Sequence, residues 1–315
     1  MGKPTGFPIF FFKERRYLMS TFLQFLTTGL RLGSVYALIA LGYTMVYGII
    51  KLINFAHGDF IMVGGYTLFF TIPLMMKLGL PGWLAVILAV IICAVVGMLV
   101  ELLAYRPVRK RGNNLTSLIT AIAMSFILEN LAQAIPAIGP DPRVPYMLFN
   151  KDFKIGSFTI SEATVITIVV SALVMIALYW FTQSTKTGRA MRCVSEDKQA
   201  AVLMGINVNK VIITTFAIGA GLAGVAALMY ISQYPKVTTT MGATLGIYAF
   251  VAAVLGGIGS LPGAMLGGII IGIVQSGTST YISSSMSDTF VYLILILVLM
   301  IKPAGILGKN VGEKV

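Results

Sequence analysis

The sequence predicts an all-α, polytopic integral membrane protein with about eight to ten transmembrane helices, at least one of them broken or short. Of the 315 residues, 57% are hydrophobic and only 11% are charged. An ordinary soluble domain carries about 25% charged residues, so this chain cannot cover a water-facing surface. Long apolar runs recur from end to end, and a β-barrel is excluded because its strands would alternate in polarity.

The charge distribution predicts the orientation in the membrane. The formal net charge is +12, from 23 basic and 11 acidic residues. Basic residues concentrate in the cytoplasmic loops of membrane proteins, so we expect no nucleic-acid partner. Two basic clusters carry the strongest signal: Arg106, Arg109, Lys110 and Arg111, and Lys186, Arg189, Arg192 and Lys198.

Three regions follow from this pattern. Residues 1–17 are predicted to be a cytoplasmic amino-terminal tail, marked by Lys13, Arg15 and Arg16. Residues 18–302 form the transmembrane domain, with a cytoplasmic loop at 182–210, and residues 303–315 form a cytoplasmic carboxyl-terminal tail. Both termini are therefore expected inside the cell.

The number of spans depends on how two regions are divided. Residues 18–51 are long enough for two short spans, and 244–258 and 264–282 read as two more, which gives about ten. Merging the segments within 20–51 and within 244–282 gives eight. The segment at 54–76 is expected to break or end at Pro73, because proline interrupts helical hydrogen bonding.

One short run collects polar side chains in the middle of apolar sequence. INFAHGDF, at 53–60, contains Asn54, Asp59 and the chain's one histidine, His57. Ionisable residues inside membrane segments are costly and mark functional sites by default. Glu129, followed by Asn130 and Gln133 in another apolar segment, qualifies for the same reason.

Flanking glycines predict that this run interrupts a helix. A discontinuous helix exposes backbone groups to a polar cavity, as in transporter sites. Two kinds of role stay open for His57: a structural one, such as capping a broken helix or pairing with Asp59, and a direct one in lining a substrate path. A metal site needs more ligands than one histidine and one carboxylate. The glycines are Gly42, Gly48, Gly58, Gly64 and Gly65.

The cytoplasmic loop is predicted to contain a helix of about nine residues. Ser195 would be its N-cap, with Glu196 and Asp197 in the first turn, where the helix dipole favours negative charge. Ala200 and Ala201 would continue the helix. Gly205 would stop it. Such a helix is too short to be stable alone, so either the lipid surface or a protein partner must cover its apolar side chains.

These residues resemble a known family. Ala200-Ala201-x-x-x-Gly205 resembles the coupling-helix motif of ABC importer permeases, although Gln199 stands where an acidic residue usually precedes the alanines. Further segments resemble LivH-type permeases, which import branched-chain amino acids, in order over about residues 20–308. They are GYTMVYGIIKLINFAHGDFIMVGGY (42–66), YRPVRKRGNNLTSLITAIAMS (105–125), GRAMRCVSEDKQAAVLMGIN (188–207), AAVLGGIGSLPGAMLGG (252–268) and KPAGILG (302–308).

The resemblance implies a multi-subunit transporter in the bacterial inner membrane. Its expected partners are a second related permease, two cytoplasmic ABC ATPase subunits and an extracytoplasmic substrate-binding protein. The chain has no Gly-x-x-x-x-Gly-Lys-[Ser/Thr] phosphate loop, so ATP and Mg would be bound by the ATPases, and this chain would not be an enzyme. The polar side chains within apolar segments, Asn54, His57, Asp59 and Glu129, are expected on the substrate path. The implied ATPase-coupling residues are Ser195, Glu196, Asp197, Ala200, Ala201 and Gly205.

Other functions stay open beside this one. Urea and short-chain amide permeases are similar in sequence. An ion-coupled secondary transporter would use His57, Asp59 or Glu129 as a relay. An intramembrane enzyme would need a nucleophile–base pair or a metal-ligand set, and the sequence offers neither. The long polar loop favours the ABC permease, because a secondary transporter needs no docking element.

Overall fold

The computed structural model describes residues 7–111, 113–155 and 158–308. Twelve α-helices and one two-stranded hairpin make up this part of the chain. The first six helices are α1 (Phe7–Ile50), α2 (Asp59–Lys77), α3 (Leu84–Val100), α4 (Arg106–Arg111), α5 (Asn114–Ala134) and α6 (Glu162–Ser184). The antiparallel strands β1 (Asp152–Ile155) and β2 (Phe158–Ser161) precede α6. The remaining helices are α7 (Lys186–Glu196), α8 (Lys198–Leu203), α9 (Val208–Ile231), α10 (Met241–Gly256), α11 (Leu261–Tyr281) and α12 (Ser287–Ile301).

Within the described residues, eight helical segments are long and apolar enough to cross a membrane. α10 is also apolar but shorter, with 16 residues. The predicted all-α membrane fold is confirmed. The eight segments are Met19–Ile50, Phe55–Lys77, Leu84–Arg109, Leu115–Ala134, Glu162–Ser184, Val208–Ile231, Leu261–Tyr281 and Ser284–Ile301.

Of the two divisions predicted for 18–51, the merged one is correct and the two short spans are not, because α1 is one continuous helix of 44 residues. Its glycines do not break it. They leave space that neighbouring helices occupy. A Cβ on Gly33 would lie 2.7 Å from the Cα of Ile269 in α11. Close helix approach through small residues is the usual basis of packing in lipid.

Two other predicted boundaries can be compared with the structure. The segment at 244–282 does form two helices, because Gly257 and Gly259 adopt φ values of 107° and 94° between α10 and α11. Only glycine adopts such angles without strain. Pro73 lies inside α2, which continues to Lys77, so it neither breaks nor ends the helix.

α1 runs antiparallel to α11 and defines the two faces of the bundle. The Phe25 ring contacts that of Tyr281 at 5.6 Å between centroids, whereas Gly48 approaches Gly259 at the other end. We call the end that contains Ile50, α7 and α8 the loop face. The other end, with Tyr281 and the backbone bridge between Arg143 and Val237, is the opposite face.

The two ends of the described chain lie on different faces. The Ile306 N–H donates to the Leu255 carbonyl at 2.9 Å, which places the segment after α12 on the loop face. Met19 lies beyond Phe25, towards the opposite face. α1 crosses the bundle once, so Met19 and the segment after α12 lie at opposite ends of the described bundle, and the cytoplasmic location of both termini stays a prediction. Residues 1–6 and 309–315 of the predicted tails lie outside the described residues.

Candidate functional site

The predicted break is present, and it lies between α1 and α2. α1 ends at Ile50, and Lys51 follows with φ of 62°, which is uncommon for a residue other than glycine. A single 3₁₀ turn at Phe55–His57 precedes α2. We call residues 51–59 the polar segment.

The polar segment turns back into the protein beside α1. A Cβ on Gly42 would lie 2.6 Å from the Nε2 atom of His57, so only glycine leaves room for the imidazole. Gly42 precedes the end of α1 by eight residues, or about 12 Å of helix. The polar segment is therefore a re-entrant stretch that reaches well below the loop face.

Aromatic rings enclose His57. Its side chain is fully buried, and it makes edge-on contacts with Tyr43 and Phe60 at centroid distances of 5.3 Å and 5.7 Å. Neither ring nitrogen has a hydrogen bond of standard geometry to a described residue, although the Ile39 carbonyl lies nearby. The imidazole is therefore held among aromatic side chains beside α1, and both predicted roles of His57 stay open.

Asn54 is tied to the end of the third span. The Tyr105 hydroxyl donates to Asn54 Oδ1 at 2.6 Å, and both side chains are buried. The Nδ2 atom of Asn54 has no acceptor among the described residues. Buried amides usually satisfy their hydrogen bonds, so this free donor is available to a ligand or a water molecule. The sequence alone does not identify Tyr105 as a partner of Asn54, because a tyrosine in an apolar segment is an ordinary core residue.

Asp59 lies where α2, α5 and α10 meet. A Cβ on Gly242 of α10 would lie 2.7 Å from Asp59 Oδ1, so this glycine makes space for the carboxylate. The carboxylate is fully buried and accepts no hydrogen bond of standard geometry within the described part of the chain. The Ser125 hydroxyl of α5 lies close to it.

Glu129 lies one helical turn beyond Ser125, near Asp59. Its side chain is almost completely buried. Asn130, in contrast, points away and donates from Nδ2 to the Phe126 carbonyl at 2.7 Å. The fold therefore brings two predicted site residues together although they are distant in sequence.

The region offers the kinds of polar group that a zwitterionic ligand requires. Two carboxylates, Asp59 and Glu129, supply acceptors in a largely apolar environment, and the Asn54 amide supplies a free donor. Phe55, next to Asn54 in the chain, is 36% exposed and its ring lies 6.3 Å from that of Phe250 between centroids.

The cytoplasmic loop predicted at 182–210 contains two helices, α7 and α8, and the prediction that Ser195 is an N-cap is wrong. Ser195 and Glu196 end α7 instead of opening a new helix, and Ser195 Oγ donates to the Arg192 carbonyl at 2.7 Å. Asp197 is the N-cap of α8, because its extended backbone lets Oδ1 accept from the N–H groups of Gln199 at 2.7 Å and Ala200 at 3.1 Å.

The end of α8 agrees with the prediction. Gly205 has φ of 80° and follows the last turn directly, as a helix stop does. Ala201 is buried against the protein, whereas Leu203 and Met204 are 87% and 81% exposed. The six-residue helix thus presents a small apolar surface on the loop face. Next to it, Ser195, Glu196 and Lys51 line a cavity of about 400 Å³.

Comparison with known proteins places this chain among transport permeases. The family described as branched-chain amino acid transport system, permease component, matches residues 6–299. The high-affinity branched-chain amino acid permease LivH of Escherichia coli is 43% identical over 304 residues, which cover 93% of this chain and 98% of LivH.

Further relatives come from other organisms. BraD of Pseudomonas aeruginosa is 42% identical over 93% of this chain and 98% of its own length. The probable LivH of Methanocaldococcus jannaschii is 30% identical over 88% of this chain and 90% of its own. A solved structure, PsaBC from Streptococcus pneumoniae, aligns with a TM-score of 0.46 and 16% identity over 89% of this chain and 92% of that one. The chain thus belongs to the family of permease components of branched-chain amino acid transport systems.

Proposed function

We propose that this chain is the membrane permease subunit of an ABC importer and forms the translocation path for branched-chain amino acids. The observation that carries the proposal is its similarity, over 93% of its length, to permeases named for this substrate class. ATP and Mg are bound by two separate ATPase subunits, which dock on the cytoplasm-facing loops. A second related permease and an extracytoplasmic substrate-binding protein complete the transporter.

The loop face is the cytoplasmic face of the inner membrane in this proposal. Basic residues support it, because they favour the cytoplasmic side of membrane proteins. On this assignment Met19 lies towards the extracytoplasmic end of α1. The loop face carries both basic clusters of the sequence, which include Arg106, Arg109, Lys186, Arg189, Arg192 and Lys198, whereas the predicted inside marker of Lys13, Arg15 and Arg16 precedes Met19 in α1 and falls on the opposite side.

The polar segment lies on the substrate path. Asp59 and Glu129 attract the ammonium group of the passing amino acid, and the Asn54 amide donates to its carboxylate. Phe55 lies beside the aliphatic side chain. Because the binding protein selects the substrate, the permease needs only weak, transient contacts.

Uptake by the reconstituted transporter tests this function. We call the assembly of this permease, the second permease, the two ATPases and the binding protein the four-part complex, after its four kinds of subunit. In proteoliposomes it should accumulate leucine only when ATP is supplied on the loop-face side, and an ionophore should leave uptake unchanged. Uptake that persists without ATP and collapses with the ionophore would support a secondary transporter. Preferential uptake of urea or acetamide over leucine would contradict the proposed substrate.

Replacing Asp59 by alanine should lower the leucine uptake rate by about tenfold, the effect of ~1.4 kcal/mol. The reason is that the ammonium group loses a buried acceptor. The ratio of leucine to valine uptake should stay the same, because selection occurs on the binding protein. Asp141→Ala, in an exposed loop of the opposite face, is the matched control. A changed substrate preference in Asp59→Ala would contradict the assignment.

Replacing Gly205 by valine should uncouple ATP hydrolysis from uptake. No atom lies within 4 Å of a Cβ at this position, so the effect arises from the backbone, whose φ is 80°. Left-handed geometry costs about 1–2 kcal/mol for an ordinary residue. We expect leucine transported per ATP hydrolysed to fall, while Gly205→Asn should retain most coupling because asparagine tolerates this conformation. Full coupling in the valine variant would disprove the role.

A further inference from the structure

We propose that Lys198 is the positioning residue through which the loop moves the polar segment. This inference rests on the proposed function, because it concerns how motion of an ATPase-docked loop reaches the substrate path. Lys198 is the first residue of α8, and its Nζ donates to the Ile50 carbonyl at 3.3 Å. The contact joins the coupling helix directly to the end of α1.

The end of α1 suits a cation. The last carbonyls of a helix have no intrahelical donors and carry the negative end of the helix dipole. Lys198 is partly buried here, and burial lowers its pKa, as do the nearby charges of Arg109 and Lys51. The Ile50 carbonyl is the acceptor that the ammonium group meets in this position.

The residue next to this contact is a strained joint. Lys51 follows Ile50 with φ of 62°, while its N–H donates to the Tyr47 carbonyl at 2.7 Å. Left-handed geometry is unfavourable for a lysine, so surrounding contacts must hold it. Loss of the Lys198 contact would let Lys51 relax and change the direction in which the chain leaves α1.

The polar segment has a second attachment, at Asn54. Asn54 accepts from Tyr105 at the end of the third span. Within that span Glu101 pairs with Arg109, and Arg109 also reaches Asn209 Oδ1 of α9 at 3.5 Å. The segment is therefore attached to the loop at Ile50 and to the third span at Asn54. Displacement of α8 moves residues 51–55 against the Asn54–Tyr105 contact.

Lys198→Met tests the inference, because it keeps the length and apolar stem of the side chain but removes the donor. The assembled four-part complex in proteoliposomes is measured for leucine uptake and ATP hydrolysis together. We expect leucine transported per ATP to fall by about five- to tenfold, the lower range of allosteric coupling. Lys198→Arg retains a donor and should restore most of the ratio.

A distance measurement separates positioning from general damage. Spin labels on Gln199→Cys and Phe55→Cys, in a Cys193→Ser background, report how α8 and the polar segment move when ATP is added; both native side chains are exposed. The two labels should move together when position 198 is the native lysine or carries Lys198→Arg. The interlabel distance should change on ATP addition only in Lys198→Met. Unlabelled protein provides the uptake reference.

The control is Lys186→Met, which alters the exposed first residue of α7. A normal transport ratio in Lys198→Met, or an equal loss in Lys186→Met, would overturn the inference. Failure of Lys198→Arg to recover while the complex assembles normally would also count against it. If the unmodified complex shows no ATP-driven uptake, the proposed function itself is contradicted.

Discussion

Replacing Arg109 by alanine is expected to destabilise the protein by about 3–5 kcal/mol. Arg109 donates to both carboxylate oxygens of Glu101, from Nη2 at 2.8 Å and from Nη1 at 3.1 Å. Glu101 is fully buried in a π-helical segment that continues α3. Without the guanidinium, the buried carboxylate loses its ion pair and both of these hydrogen bonds. Thermal unfolding of the detergent-solubilised transporter would measure the loss.

A rescue variant distinguishes the ion pair from general packing. Replacing both residues by leucine removes the two charges together and should recover much of the stability, since an apolar pair of similar volume often replaces a buried ion pair at little cost. Arg106→Ala, which removes a neighbouring cation that makes no ion pair with Glu101, should have a small effect. Equal destabilisation by Arg106→Ala and Arg109→Ala would contradict this account.

Replacing Gly272 by leucine is expected to prevent α1 and α11 from packing together, so that the chain does not fold. A Cβ at this position would lie 2.1 Å from the Gly33 nitrogen, 2.4 Å from the Gly33 Cα and 2.5 Å from the Gly29 carbonyl oxygen. All three are backbone atoms of α1, so they can move only if the two helices separate. The yield of monodisperse protein in gel filtration would show the loss.

Gly48→Ala provides the matched control for this prediction. Gly48 also lies in a spanning helix, but the nearest atom to an added Cβ is the Gly259 Cα at 3.8 Å, an ordinary contact. We therefore expect this variant to be produced at the level of the unmodified protein. An extra methylene group in a well-packed core typically costs about 1–3 kcal/mol, and Gly48→Ala avoids this cost because its Cβ has room. Normal yield of Gly272→Leu would show that α1 and α11 tolerate a wider separation.

The polar segment shows how far a sequence pattern predicts a site in a membrane chain. An isolated polar run among apolar residues predicts a special segment at 53–60, because charged and amide groups are costly in lipid. The same cost identifies Glu129. The pattern cannot place Asp59 beside Glu129, since that depends on how α2, α5 and α10 pack. Nor does it single out Gly242, because a glycine that makes room for a carboxylate looks like any other packing glycine.

The cytoplasmic loop gives a similar division. The pattern assigns Asp197, Ala201 and Gly205 to one coupling helix, and the stop at Gly205 is correct. It assigns the cap to Ser195, although serine and aspartate both favour N-caps. The choice between Ser195 and Asp197 depends on where α7 ends, and α7 begins at a separate cap on Thr185. Local propensity alone does not decide between competing starts.

By itself, the sequence determined that this protein is an α-helical membrane protein, because its composition and apolar runs admit no water-exposed surface. It also determined the family, through motifs spread along the chain. Only the tertiary structure decided that residues 18–51 form one helix, that INFAHGDF re-enters beside Gly42, and that Lys198 contacts Ile50. Each of these depends on contacts between residues far apart in sequence, where packing space and backbone geometry overrule the local pattern.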